Sequence, residues 1–237
     1  MIKKKLKRLA IIPAKGKSSR IKNKNMKFFF GKRIIDYTII ATKKSNLFDE
    51  IHVSTEDKKI KNHCAKFGIK VPFFRKKSLA NKNTPLFEVY KYTIESYKKI
   101  NKIFDEIWCI LPCAPLICSS DLIKLSKLID NKKIKLPCIT VSKYPAPIEW
   151  GYNISSSKKL SPVFKKKSIM PSQSFKQKYY DVGVLSVFKS KDIFNNTAIS
   201  VNNKFYGFEL PWNKSVDIDN LDDWEEAKKK FLIINKR

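Results

Sequence analysis

The feature that most constrains this chain is the regular return of short, strand-sized apolar runs separated by amphipathic segments of helix length. Leu9-Ala10-Ile11-Ile12 lies in the first run, at about 8–14, and similar runs follow at 50–54, 70–74, 106–111 and 138–142. Between them the spacing predicts helices at about 34–44, from Asp57 to about 67, from Thr84-Pro85 to about 99, and from Ser119 or Ser120 to near 131. Asp57 can cap the second of these, Thr84-Pro85 suits an N-cap and first turn, and Gly68 stands where a helix end takes a left-handed residue. Strands that alternate with helices and are apolar along their length are covered on both faces. The expectation is therefore a mainly parallel sheet inside a three-layer α/β arrangement.

The pattern breaks after Ser142. Tyr144-Pro145-Ala146-Pro147 cannot be helical, and the basic, irregular stretch at 143–181 reads as a lobe inserted in a single domain of residues 1–237. Strands return at 182–188 and 206–211, and a last helix from near Asn220 carries Trp224, Ala227 and Phe231 on one face.

Composition narrows the function classes. Fifty Lys and Arg against 21 Asp and Glu give +29, but the lysines are spread through nearly every segment and no nucleic-acid-binding motif accompanies them. No nucleic-acid partner is expected, although a basic RNA- or DNA-binding protein is the rival from another class. The apolar runs are far too short to span a bilayer and the basic N-terminus leads straight into a strand, so no membrane association and a cytoplasmic location are expected. Five cysteines at no zinc spacing are read as reduced thiols, and neither His52 nor His63 is read as catalytic.

Open α/β sheets bind ligands beyond the carboxyl ends of their strands. After the first strand come Pro13-Ala14-Lys15-Gly16-Lys17-Ser18-Ser19-Arg20-Ile21-Lys22-Asn23-Lys24-Asn25, a glycine, hydroxyls and cations that suit a triphosphate, though the spacing is not that of a P-loop. The residues alone leave a solvated basic loop equally open. Far along the chain, Asp217 and Asp219 lie two apart in an extended run, so both carboxylates face one way and can hold one Mg²⁺ among water and phosphate oxygens. Capping of the last helix would account for one acidic residue there, not for the pair.

Ala14-Lys15-Gly16-Lys17-Ser18-Ser19-Arg20-Ile21 followed by Lys24-Asn25 resembles the first motif of the acylneuraminate cytidylyltransferases, the CMP-sialic acid synthetase family. The likeness continues in 49–55, in Phe74-Arg75 with Leu79-Ala80 and Thr84, in 112–116, and in Val216-Asp217-Ile218-Asp219 with Asp223-Trp224. Tyr144-Pro145-Ala146-Pro147-Ile148, Ser172-Gln173 and Tyr179-Tyr180-Asp181-Val182-Gly183 are most similar to the pseudaminic acid branch. Lys15, Lys17, Lys82 and Pro171 depart from the pattern, where Arg, Gly, Asp and Arg would be expected.

The resemblance implies a three-layer α/β/α nucleotidyltransferase fold, GT-A-like and Rossmann-like, with the inserted lobe serving dimerisation. It implies transfer of CMP from CTP to an acidic nine-carbon sugar, with Mg²⁺ as cofactor and a homodimer as the assembly. Sialic and legionaminic acids are alternative acceptors, and Kdo is the least expected. Lys24, Asp217 and Asp219 are then the catalytic candidates, with Lys15, Arg20 and Lys24 gripping the triphosphate. Ala14, Gly16, Ser18 and Asn25 would line the nucleotide, Arg75, Ala80 and Thr84 would frame its cytidine end, and Gln173, Tyr180 and Asp181 would lie toward the sugar. Trp150 and Trp212 are assigned to core or interface rather than to base stacking.

Overall fold

The structure, a computed structural model, describes residues 6–194 and 204–236, so the first five residues of the basic N-terminus lie outside it. Strand β1 (Arg8–Pro13) is followed by a small antiparallel pair, β2 (Phe28–Phe29) and β3 (Lys32–Arg33), and by α1 (Ile34–Ser45). Then come β4 (Glu50–Ser54), α2 (Lys58–Ala65), α3 (Leu86–Lys98), β5 (Glu106–Ile110), α4 (Ser119–Asp130) and β6 (Cys138–Lys143). A hairpin of β7 (Tyr152–Ile154) and β8 (Leu160–Pro162) precedes the long β9 (Tyr179–Lys189), a short α5 (Ser190–Phe194), β10 (Tyr206–Glu209) and α6 (Leu221–Asn235).

The main sheet runs β10-β6-β9-β5-β1-β4, and β9 alone is antiparallel, wedged between β5 and β6. The two-residue period of β1 builds both flanking layers. Leu9 and Ile11 join Ile107 and Cys109 of β5 against Tyr90, Ile94 and Tyr97 of α3, while Ala10 joins Trp108 and Ile110 against Leu122 and Leu125 of α4. Ile12 packs on the same side with Ile35 and Ile39 of α1. The sheet is thus mainly parallel and covered on both faces, as its apolar strands require.

Two local expectations are corrected. Residues 70–74 form no strand: Val71 is buried, but Pro72 has no N–H to give a ladder, and the segment runs on until the Arg75 N–H donates to Thr55 O at 2.9 Å. Thr84 is not the cap of α3 either. Pro85 occupies that position with φ −59° and ψ 137°, and Thr84 Oγ1 donates to Ser78 O at 3.4 Å. Asp57 does cap α2, accepting from Lys59 N–H at 2.6 Å, and Gly68 adopts φ +70°.

The chain leaves the sheet at Lys143 and returns opposite it at Tyr179, so the lobe hangs from the ends of β6 and β9. Trp150 and Trp212 are 37% and 63% exposed, so neither belongs to the core; the Trp150 indole N–H donates to Met170 O within the lobe. Four of the five cysteines are buried and all are free thiols. No helix among the described residues is long and apolar enough to cross a membrane.

His52 shares the register of Ile11 and so faces α3, stacked on Phe73 with ring centroids 4.6 Å apart, its Nδ1 3.2 Å from Tyr97 Oη. Burial lowers its pKa from 6.5 to about 3, which keeps the ring neutral at pH 7. A depressed histidine contributes its full stability above the unfolded pKa and loses it as pH falls toward the folded value. Stability against urea is therefore expected to drop between pH 7 and about pH 4.5, by at most ~1.4 kcal/mol per pH unit from this group. The slope should flatten in His52→Gln, and an unchanged slope would show that other groups set it.

Candidate functional site

Strand β1 lies between β4, reached through α1 on one side, and β5 on the other, so the connections diverge at its carboxyl end. Such a reversal leaves a crevice that neither connection covers. Here it is a cleft of about 320 Å³, lined by Pro13 at the end of β1, by Lys15, Ser18, Arg20, Lys24 and Asn25 after it, and by Leu111, Pro112 and Cys113 after β5. Arg75, Asn81, Lys82 and Thr84 form another wall, and Asp217 and Asp219 close the site.

The β1 loop is fixed from beneath. Ala14 is fully buried among Ile12, Ile35 and Val53 and gives its N–H to Ser54 O, so it anchors the loop while its side chain serves the core. Asn25 is buried too: its amide donates to Lys15 O at 2.8 Å and its Oδ1 accepts from the Cys113 thiol at 3.2 Å. Burial pushes that thiol up to about 12, so it remains a donor. Gly16 gives its N–H to Glu56 Oε1 at 2.8 Å, and a Cβ there would sit 2.9 Å from Asp57 Cβ, so only glycine lets the loop lie this close to the α2 cap. Glu56 Oε2 in turn accepts from Arg75 Nη2 at 2.7 Å, and Arg75 is 5% exposed. One carboxylate thus clamps the loop to the opposite wall.

The acidic pair sits on an extended segment before α6, where Val216 and Ile218 are buried and the two aspartates point the other way. Asp223 accepts from the N–H groups of Asp219 and Asn220 at 2.8 and 2.9 Å, and Asn220 Oδ1 accepts from Asp223 N–H at 3.0 Å. Capping of α6 is therefore done by Asn220 and Asp223, leaving both Asp217 and Asp219 free of that duty. Arg20 Nη2 lies 2.8 Å and Lys24 Nζ 3.5 Å from Asp219 Oδ1, and Lys24 also donates to Ile218 O. Asp217 accepts no hydrogen bond from any described residue. Burial and the neighbouring Asp219 push its carboxyl above the usual carboxylate range, against the pull of Lys24.

Among the sequence candidates, Lys15, Ser18, Arg20, Lys24, Asn25, Arg75, Thr84, Asp217 and Asp219 line one cleft. Ala14, Gly16 and Ala80 do not line it, and neither do Gln173, Tyr180 and Asp181. Gln173 lies exposed in the lobe, in the turn Ser172–Ser174. Tyr180 Oη donates to Ser215 Oγ at 3.2 Å, and Asp181 Oδ1 accepts from Gly183 N–H at 2.8 Å, so this end of β9 runs beside the acidic segment. Gly183 has φ +75°, and a Cβ on it would lie 3.4 Å from Asp217 Oδ2. Sequence reasoning missed Glu56, Asn81 and Gly183; the cue for Glu56 was an acidic residue directly beyond a strand end in an otherwise basic chain.

Mg²⁺ takes one or two carboxylates together with water and phosphate oxygens rather than a full protein cage. An unpartnered carboxylate beside a second one fits that chemistry. No group of three or more His, Cys, Asp or Glu suited to a metal occurs among the described residues, so the remaining ligands would have to come from the nucleotide and water.

A family model described as cytidylyltransferase matches residues 9–229. Pseudaminic acid cytidylyltransferase of Campylobacter jejuni subsp. jejuni serotype O:2 is 32% identical over 225 residues, 94% of this chain and 95% of its own length. CMP-N,N'-diacetyllegionaminic acid synthase of Legionella pneumophila subsp. pneumophila is 31% identical over 107 residues, 45% of this chain and 46% of its own length. Among solved structures, a CMP:2-keto-3-deoxy-manno-octonic acid synthetase complexed with CTP superposes with a TM-score of 0.67 at 15% identity, covering 96% of this chain and 99% of that one. That last likeness is one of fold.

Proposed function

The chain belongs to the cytidylyltransferase family and is a nucleotidyltransferase, and from that premise we propose that it moves CMP from CTP onto the anomeric hydroxyl of a nonulosonic acid, releasing pyrophosphate. Pseudaminic acid is the acceptor of choice, because the relative bearing that name matches along nearly the whole chain, whereas the legionaminic relative matches over less than half of it. One observation carries the reading: the cationic β1 loop and the Asp217–Asp219 pair line the same cleft.

In this reading Lys15 and Ser18 bind the triphosphate, while Arg20 and Lys24 hold Asp219 in place across the cleft. Asp217 and Asp219 would hold Mg²⁺, which when bound supplies positive charge to the phosphate oxygens and to the attacking hydroxyl. Arg75, set by Glu56, faces the same cleft from the wall opposite the loop and gives it a fixed shape. The acceptor enters beside β9, where Tyr180 and Asp181 border the acidic segment, and Gln173 reaches it from the lobe of a second subunit. Exposed Tyr152, Ile154, Leu160 and Ile169 support a homodimer built through that lobe, because so much apolar surface at the end of one excursion calls for cover. The enzyme is placed in the cytoplasm, where CTP is made available to it.

The test is pyrophosphate release with CTP and Mg²⁺ across pseudaminic, sialic and legionaminic acids. Pseudaminic acid is expected to give the highest kcat/KM by more than about tenfold, a margin that a few site contacts supply. A higher value with either other acid would move the acceptor assignment, and release with none would overturn the activity.

A further inference from the structure

Among the described residues five cations line the cleft, and the structure divides them. Arg20 and Lys24 are engaged by Asp219, and Arg75 by Glu56. Lys15 and Lys82 have no carboxylate partner among the described residues. Lys15 belongs to the β1 loop; Lys82 comes from the wall opposite, in the turn between Ala80 and α3.

Lys82 also lines an adjoining cavity of about 350 Å³ with Lys15, Ser18, Ser19, Arg20, Lys24, Asn83 and Asp219, a cavity that Arg75, Ala80 and Thr84, the residues assigned to the cytidine end, do not line. The turn that carries it is braced on both sides. Asn81 Nδ2 donates to Ser78 O at 3.0 Å, and Asn83 N–H donates to Asn81 Oδ1 at 2.8 Å. The backbone at Lys82 is therefore fixed while its ammonium is free to reach a ligand. A flexible point charge of this kind suits phosphate oxygens, which present no single donor direction.

Resting on the CTP reading above, we propose that Lys82 is a second-wall phosphate contact, pairing with the β- and γ-phosphates of CTP and holding the pyrophosphate they become. It lines both cavities together with Lys15 but comes from a different segment of the chain, so the end of the triphosphate is neutralised from two segments, and the leaving group stays held after the bond to the α-phosphorus breaks.

The experiment is calorimetric titration of CTP, pyrophosphate and CMP, each with Mg²⁺, into wild type, Lys82→Ala and Lys82→Arg. Loss of one charge-assisted contact is expected to weaken CTP and pyrophosphate about tenfold in Lys82→Ala, to leave CMP unchanged, and to be largely restored in Lys82→Arg. Equal weakening of all three ligands, or no weakening of pyrophosphate, would overturn the assignment. If wild type itself binds no CTP, the reading of the whole cleft falls along with it; if wild type binds CTP and Lys82→Ala binds it equally well, the Lys82 proposal falls alone.

Discussion

Asp217→Asn is expected to lower CTP-dependent pyrophosphate release by about 10²–10³-fold, the usual cost of losing a preorganised electrostatic group, without lowering the melting temperature. The second half of that expectation comes from the structure. Asp217 accepts no hydrogen bond from a described residue, and burial and Asp219 both act against its negative charge. Removing the charge breaks no hydrogen bond and gives up only the pull of Lys24 and Arg20, so the variant should melt close to the wild-type temperature. Activity assays beside scanning calorimetry read both parts. A variant that stays active would show that the chemistry does not need this carboxylate, and one that melts well below wild type would show that it serves the fold.

Glu56→Ala is expected to have the second large effect, on stability and nucleotide binding together. Glu56 is the partner of a guanidinium whose side chain is only 3% exposed, and the Arg75 Nε is already without an acceptor. Taking away one member of a buried pair leaves an uncompensated charge and costs about 3–5 kcal/mol. The same change frees the Gly16 N–H, so the β1 loop loses its tie to the wall that carries Arg75. In the double variant Glu56→Ala/Arg75→Met, much of the stability should return while CTP binding stays weak, because the clamp is still missing and the cleft has also lost Arg75. Urea unfolding with CTP titration separates the two, and full recovery of CTP binding in the double variant would show that the clamp does not position the loop.

The residues differ in how much of this they reveal by themselves. The layers of the fold were legible because β1 and β5 are apolar apart from Arg8 and Glu106 at their starts, and a strand buried on both faces has little freedom to be anything else. The antiparallel course of β9 between β5 and β6 was not, since the residues of a strand carry no mark of which neighbours it will pair with. Residues 70–74 were apolar enough to read as a strand, yet Pro72 keeps them off the sheet.

The site shows the same division. Asp217 and Asp219 declared themselves by their spacing of two, but the pairing of Asp219 with a loop nearly two hundred residues earlier is a product of topology. Asn25 was expected at the nucleotide, and it lines the cleft, but both its side-chain hydrogen bonds are spent holding Lys15 and Cys113. Glu56 went unnoticed because its value depends on Arg75 and Gly16, which only the folded chain brings to its two oxygens.

The claim at the centre is that the loop after β1 and the two aspartates form one site for a metal-bound nucleotide. Titration of Mn²⁺ in place of Mg²⁺, followed by electron paramagnetic resonance with and without CTP, tests it most directly. Tight Mn²⁺ binding that requires CTP in wild type, and that is lost in Asp217→Asn and weakened in Lys15→Ala, is the expected result. Mn²⁺ binding that ignores CTP, or that survives Asp217→Asn undiminished, would contradict it.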